Sequence, residues 1–526
     1  MFDLIIKNGK IIDGGGNPPC HADVAIRDGM IAAVGKCLDE RGARIIDAAG
    51  KIVCPGFIDS HSHSDLPLEN MRDSHFKLEQ GVTYEIVGMC GFSAAPLSDR
   101  QLDEGIALIR SLCAGGTPED NAHKKTYSEY MDHMKGLSFG PSFSGFVGHN
   151  TIRAAVMGSA DRDPTAEELE EMKAYVDDAM RAGALGISLG LYYTPGCYAK
   201  TEEAIELCKV VASYGGCMCL HMRYENQKLL EGVEEALKIG RETGVRVIIS
   251  HHKASGTPDC WSLANESLPM IDRANDEGLD VFIDQYPYTS SLTTMKVRLP
   301  RKVLAMGSSA VLEALSDAAK RREIKEIMKK EMPDEERFFG VMIISSKSFP
   351  QYNGKMFLEL AKELDRDPVD LCLEILLADE LQTSNAGIKQ SEDVVKMIMR
   401  HPRTMVGSDS LLYPGCEVTH PRAVGSFTRI LGHYVREEKN LSLVEAVRKM
   451  TGLPSMVYNL KGKGLIRTGM DADIAIIDPE RIIDRADFKN SLARGEGVDY
   501  VLVAGHVVVK DSEYLGGLYG KFIPRQ

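Results

Sequence analysis

Pro55-Gly56-Phe57-Ile58-Asp59-Ser60-His61-Ser62-His63 is the stretch that decides how this chain folds. It reads as a short apolar strand running straight into two histidines one residue apart. In extended backbone, residues i and i+2 point the same way. His61 and His63 can therefore aim two imidazoles at one point, as a metal ion requires. Alone, such a pair could also be two histidines at a surface, so the reading rests on what surrounds it.

Outward from that stretch, strands and helices alternate. Thr165-Ala166-Glu167-Glu168 is a capping box, Leu169, Met172, Val176 and Ala179 follow at helical spacing, and Gly183 is the expected stop. Ala184 to Leu189 then reads as a strand. Buried strands are expected at Gly56–Ser60, Thr83–Val87, Phe143–Val147, Leu185–Leu189, Gly216–Leu220, Val245–Ser250, Leu279–Asp284 and Thr404–Gly407. Eight strands separated mostly by helical stretches imply a (β/α)₈ barrel of the TIM type. The gap between the seventh and eighth strands exceeds one helix, so a lid-like insertion over the barrel mouth is expected around 290–345. Both ends of the chain are short strands and turns. One small β-sandwich domain built from 1–54 and 465–526 should therefore flank a hydrolase barrel over 55–464.

The composition is that of a globular protein: 526 residues, 44% hydrophobic and 26% charged. A net charge of −14 and a pI near 5.6 argue against nucleic acid as a partner, since phosphate binding wants a basic surface. No run approaches a membrane span, and the N-terminus lacks the pattern of a signal peptide. The twelve cysteines are scattered, several in apolar strands such as Cys217 and Cys219, which suits reduced thiols and a cytoplasmic location. The sequence leaves the oligomeric state open.

Barrel active sites lie at the C-terminal ends of the strands. There the sequence places His61 and His63 after strand one, Cys90 after strand two, His221 after strand five, His251 after strand six and Asp409 after strand eight. Singly, Cys90 could be a small core residue and Asp409 a turn residue. Together they form a histidine, thiolate and carboxylate set that suits Zn²⁺. Such a metal lowers the pKa of a bound water towards about 7, and Asp409 beside it could carry the proton to a leaving group. That is metal-assisted hydrolysis.

The barrel between β-rich ends, with His-x-His after strand one and Asp after strand eight, resembles the amidohydrolase superfamily. Many of its binuclear members carry a carboxylated lysine after strand four. Here strand four runs into Gly190-Leu191-Tyr192-Tyr193-Thr194-Pro195-Gly196, with no lysine before Lys200. Cysteine after strand two resembles the D-aminoacylase, or N-acyl-D-amino-acid deacylase, family. So do Val87–Ser93, His221-Met222-Arg223, Ser250-His251-His252-Lys253 and Asp284-Gln285-Tyr286-Pro287-Tyr288. The resemblance implies a tightly bound zinc on Cys90, His221 and His251. It also implies a weaker second site on His61, His63 and Asp409, with or without a shared Cys90, and a small N-acyl amino acid as partner. Tyr193, Lys253 and Tyr286 match substrate-holding positions, the last two at the carboxylate, with Arg223 or Arg298 as further candidates. His252 should point away from His251. Which hydroxyl among Thr289, Ser290, Ser291 and Thr293 meets substrate stays open, and Lys296 and Arg298, either of which could reach an acidic side chain on the substrate, are expected instead to face water. A hydantoinase-like cyclic amide hydrolase and an inactive metal-binding barrel remain the alternatives.

Overall fold

The structure, a computed structural model, describes every residue except 37, 39, 114–120 and 122. At its centre lie eight parallel strand positions. Phe57–Asp59, Val82–Val87 and Ser142–Gly145 pair in that order, and Val147–Gly148 continues the third position past Phe146. Gly186–Gly190, Cys217–His221, Arg246–Ile249, Val281–Gln285 and Thr404–Val406 follow, each paired with the one before. The ring closes where the Ser60 amide donates to Val406 O at 3.1 Å and the Asp409 amide to His61 O at 2.8 Å. The fold is therefore the (β/α)₈ barrel that the alternation implies. All eight strands overlap the expected ranges, because fully buried strands read as continuous apolar runs.

The helix expected after Thr165 spans Ala166–Ala182. Thr165 and Glu168 form the capping box, and Gly183 ends the helix at φ 102°, a conformation that glycine adopts without a Cβ clash.

Two sheets pack beside the barrel. One comes wholly from the first fifty residues: Met30–Gly35, Asp23–Arg27, Leu4–Lys7 and Arg44–Asp47. The other mixes both ends, with Ile52–Pro55 paired antiparallel to Ile474–Ile477. Leu4, Ile6, Val24 and Ile26 meet Val53, Ile474, Ile476 and Leu502 in a shared apolar core, so the two sheets form a sandwich. The last residues do not stay with it. Gly520 bridges Phe139 and Phe522 bridges Phe143, so the tail lies against the barrel rather than extending the β domain to 526.

The insertion after strand seven also runs further than 345. Its sheet joins Ser290–Thr294 and Met342–Ser345 to Ser384–Ile388, and it has its own core around Leu315, Phe339, Phe357 and Leu376. Among the described residues all eleven cysteines are free. No described helix is long and apolar enough to cross a membrane.

Candidate metal centre and substrate cavity

The barrel brings the strand-end residues to one rim. Cys90 Sγ lies 3.3 Å from Nε2 of His61 and 3.3 Å from Nε2 of His251. Asp409 Oδ1 lies 3.2 Å from His63 Nε2 and 3.4 Å from His61 Nε2. These spacings approach the edge of a tetrahedron, about 3.5 Å, built on zinc–ligand bonds of roughly 2.0–2.3 Å. His221 packs edge-on against His251, with ring centroids 4.4 Å apart. The donor set therefore fits zinc: soft thiolate, imidazole and carboxylate converge and are almost wholly buried.

The backbone is bent to make this possible. Cys90, His251 and Asp409 have φ of 55°, 35° and 50°, in the left-handed region that side chains rarely adopt. Strain of this kind persists only where the surroundings enforce it, and it gathers at functional sites. Glycines make the room. A Cβ on Gly190, at the end of strand four, would sit 2.0 Å from Cys90 O.

The electrostatics favour a charged centre. Burial alone would push the Cys90 thiol up, but His61 and His251 outweigh it and hold it well below the usual thiol range. Asp409 likewise loses to burial less than it gains from Arg422 and His63, so its carboxyl is held well below the ordinary range and stays ionised. Burial pushes His221 down, towards the neutral form that ligates metal.

Two carboxylates that the sequence reading passed over orient the ligands. Asp284 accepts from His61 Nδ1 at 3.1 Å and from the His251 amide at 2.8 Å. Glu225 lies 3.0 Å from His251 Nδ1 and accepts from Lys253 Nζ at 2.6 Å. Such partners fix ring orientation and raise ligand basicity. Asp284 had a signal: it sits two residues before Tyr286 at a strand end. Glu225, four residues after His221 in a loop, had none.

Tyr193 stands over the ligands, its ring 4.7 Å from that of His221 and its hydroxyl accepting from Thr293 at 3.3 Å. Lys253 reaches the rim, 5.9 Å from the Tyr286 ring, but its ammonium is bonded to Glu225 and to His251 O. His252 turns away and meets Ser267. Arg223 is a correction: its guanidinium is taken up by Glu235 and the carbonyls of Cys197 and Ala199, so it braces the strand-five loop and does not face the centre. Arg298 is also not in water. It is buried on Phe338 O and Asn385 Oδ1 inside the insertion. Lys296 is half-buried, its pKa lowered to about 8 by burial, and lines a neighbouring recess. Of the four candidate hydroxyls, Ser290 meets His420 Nε2 at 2.6 Å, and Thr293 lines the cavity.

The cation that does reach the cavity is Arg422, thirteen residues beyond Asp409. It is 2% exposed, its Nη1 lies 2.8 Å from Asp409 Oδ2, and its guanidinium stacks 4.6 Å from the Tyr286 ring centroid. Its Nε has no hydrogen-bond partner among the described residues. A buried guanidinium with a free donor is built to receive an acceptor.

A barrel with this donor set at its rim defines a metal-dependent hydrolase. Residues 44–509 match the amidohydrolase family, and the chain belongs to it, in the D-aminoacylase branch. It is 34% identical to the D-aminoacylase of Alcaligenes xylosoxydans xylosoxydans, over 100% of this chain and 98% of that one. It is 34% identical to the N-acyl-D-aspartate deacylase of the same organism, over 96% and 92%. It also superposes on the N-acyl-D-glutamate deacylase of Bordetella bronchiseptica, solved with zinc and a phosphonate mimic of the tetrahedral intermediate. The TM-score there is 0.84 and the identity 33%, over 99% of each chain.

Proposed function

We propose that this chain hydrolyses the amide bond of N-acyl-D-amino acids, with water giving a carboxylate and a free D-amino acid. Cys90, His221 and His251 would hold one zinc tightly. His61, His63 and Asp409, with Cys90 shared, would hold a second more weakly. When bound, zinc would polarise the scissile carbonyl and acidify a water.

The remaining roles belong to the chain's own side chains. Asp409 is ionised, so it can accept a proton and deliver it to the departing nitrogen. Arg422, which lines the cavity, offers its guanidinium to the substrate's α-carboxylate, with Tyr286 stacked beneath it and Lys253 nearby. Tyr193 covers the ligands on the cavity side and limits access of bulk water. In an N-acyl amino acid the carboxylate lies two bonds from the scissile nitrogen. An anchor on Arg422 therefore brings that nitrogen towards Asp409, a positioning effect that can supply much of a rate enhancement.

The observation that carries the reading is the Arg422–Asp409 contact of 2.8 Å, which sets an anion receptor beside a proton carrier at the rim of the donor set. The absence of a lysine after strand four supports a linear over a cyclic amide. Lys200 instead pairs with Asp163 at the surface. The test is release of free amine by zinc-loaded protein from matched N-acetyl-D- and L-amino acids, with hydantoin and dihydrouracil as controls. Turnover of the D series alone is expected. Turnover of the cyclic substrates, or none at all, would overturn the proposal.

A further inference from the structure

Near-equal kinship to deacylases of different names leaves the substrate's side chain open, and the cavity above the donor set bears on it directly. Its floor is His63, Cys90, His251 and Asp409. Its walls come from three separate elements. Phe92 and Leu112 belong to the segment after strand two, Leu292 and Ile344 to the insertion sheet, and Leu411 and Val418 to the segment after Asp409. The polar groups between them, such as Ser345 and Ser384, are neutral hydroxyls.

Charge is the deciding feature. Among the described residues lining the cavity, Arg422 is the one arginine or lysine. Three further cations, Lys253, Lys296 and Arg298, come near the cavity without lining it. Lys253 is held by Glu225, Arg298 by Phe338 O and Asn385, and Lys296 lines not this cavity but the adjoining recess, which meets it at Phe92, Tyr193 and Thr294. Arg422 also shares its charge with Asp409 at 2.8 Å. One carboxylate can be matched here. A second would be buried against aliphatic and aromatic walls without a counter-charge, which is strongly unfavourable.

We infer that this site selects monocarboxylate substrates: N-acyl-D-amino acids with neutral, apolar side chains and uncharged acyl groups, and not N-acyl-D-aspartate or N-acyl-D-glutamate. The inference rests on the deacylase reading above. Selectivity arises on both sides, from apolar contact with the favoured substrate and from the unpaired charge of the rejected one.

The test is kcat/KM of the zinc-loaded protein for N-acetyl-D-leucine and N-acetyl-D-methionine against N-acetyl-D-glutamate and N-acetyl-D-aspartate. At least a hundredfold preference for the neutral pair is expected. Leu292→Arg places a cation on the wall and should narrow that ratio at least tenfold. Equal or better turnover of the acidic pair by the unaltered protein would overturn the inference while leaving the deacylase reading intact. Binding to zinc-loaded Asp409→Asn reads the wall without turnover. There N-acetyl-D-leucine should bind at least tenfold tighter than N-acetyl-D-glutamate. The reverse order, or binding of neither, overturns the inference even if the wild-type protein proves to be a deacylase.

Discussion

At the scale of single residues, the site is a set of charges held where burial opposes them. Asp409 keeps its negative charge because Arg422 and His63 outweigh desolvation. Asp409→Asn preserves shape and removes the ability to accept a proton. General acid–base groups contribute roughly 10²–10⁴-fold, so turnover should fall by at least that much while zinc on Cys90, His221 and His251 is retained. Near-normal kcat in a metal-replete Asp409→Asn sample would remove Asp409 from the chemistry. The candidate ligands were legible because strand-end position and residue type coincide at His61, Cys90, His221, His251 and Asp409. Arg422 was not. It opens the helix Arg422–Arg429, and its closeness to Asp409 arises only when the chain after strand eight folds back over the rim. Arg223 failed in the opposite way: its position beside His221 suggested the cavity, but Glu235 and two carbonyls satisfy its guanidinium elsewhere.

At the scale of elements, ligand placement depends on how closely neighbouring strands approach. Strand two ends in Gly88-Met89-Cys90-Gly91, and Cys90 holds its left-handed backbone with its carbonyl against Gly190 of strand four. Any Cβ at 190 would lie 2.0 Å from that carbonyl, and backbone on both sides leaves little room to yield. Gly190→Ala should therefore displace the Cys90 turn and weaken zinc binding at least tenfold, although no ligand is altered. Competition with a chromogenic chelator would measure it. Unchanged affinity would mean that the turn and the donor set are mechanically independent. Lys77 shows the same dependence from below. It is fully buried and bonds Asp59 and Ser408 at 2.6 Å each, tying strand one to the segment that carries Asp409. The strands themselves were legible because buried parallel strands are unbroken apolar runs. The end of the insertion was not, since Ser384–Ile388 reads Ser-Asn-Ala-Gly-Ile, with little of the β-branched or aromatic character of a strand.

At the scale of the whole molecule, the two ends of the chain join in one sandwich, and then the chain crosses back to the barrel. The sandwich was legible because Ile474–Ile477 and Val498–Val503 repeat the texture of the first fifty residues. The return was not, because Leu515 to Gln526 contains three glycines and a proline and shows no alternation. Tertiary contacts place it instead. The Gly520 amide donates to Phe139 O at 2.7 Å and the Ile523 amide to Phe143 O at 2.7 Å. Between them Phe522, 5% exposed, packs edge-on against Phe143 and Tyr130. This strap closes the apolar ground between strand three and the helix Tyr127–Lys135, on elements remote from the donor set. Phe522→Ala would open a cavity there, and losses of about 3–5 kcal/mol accompany such truncations. The single tryptophan, Trp261, lies on a barrel helix and packs against the same core, so its fluorescence reports the barrel. In urea the Trp261 transition of Phe522→Ala should move to clearly lower concentration, with zinc content and kcat at 25 °C unchanged. An unmoved transition would mean that the strap only covers the barrel. A shifted transition with lost activity would mean that the third strand couples the strap to the rim, through Phe146 and the adjoining turn at Gly88.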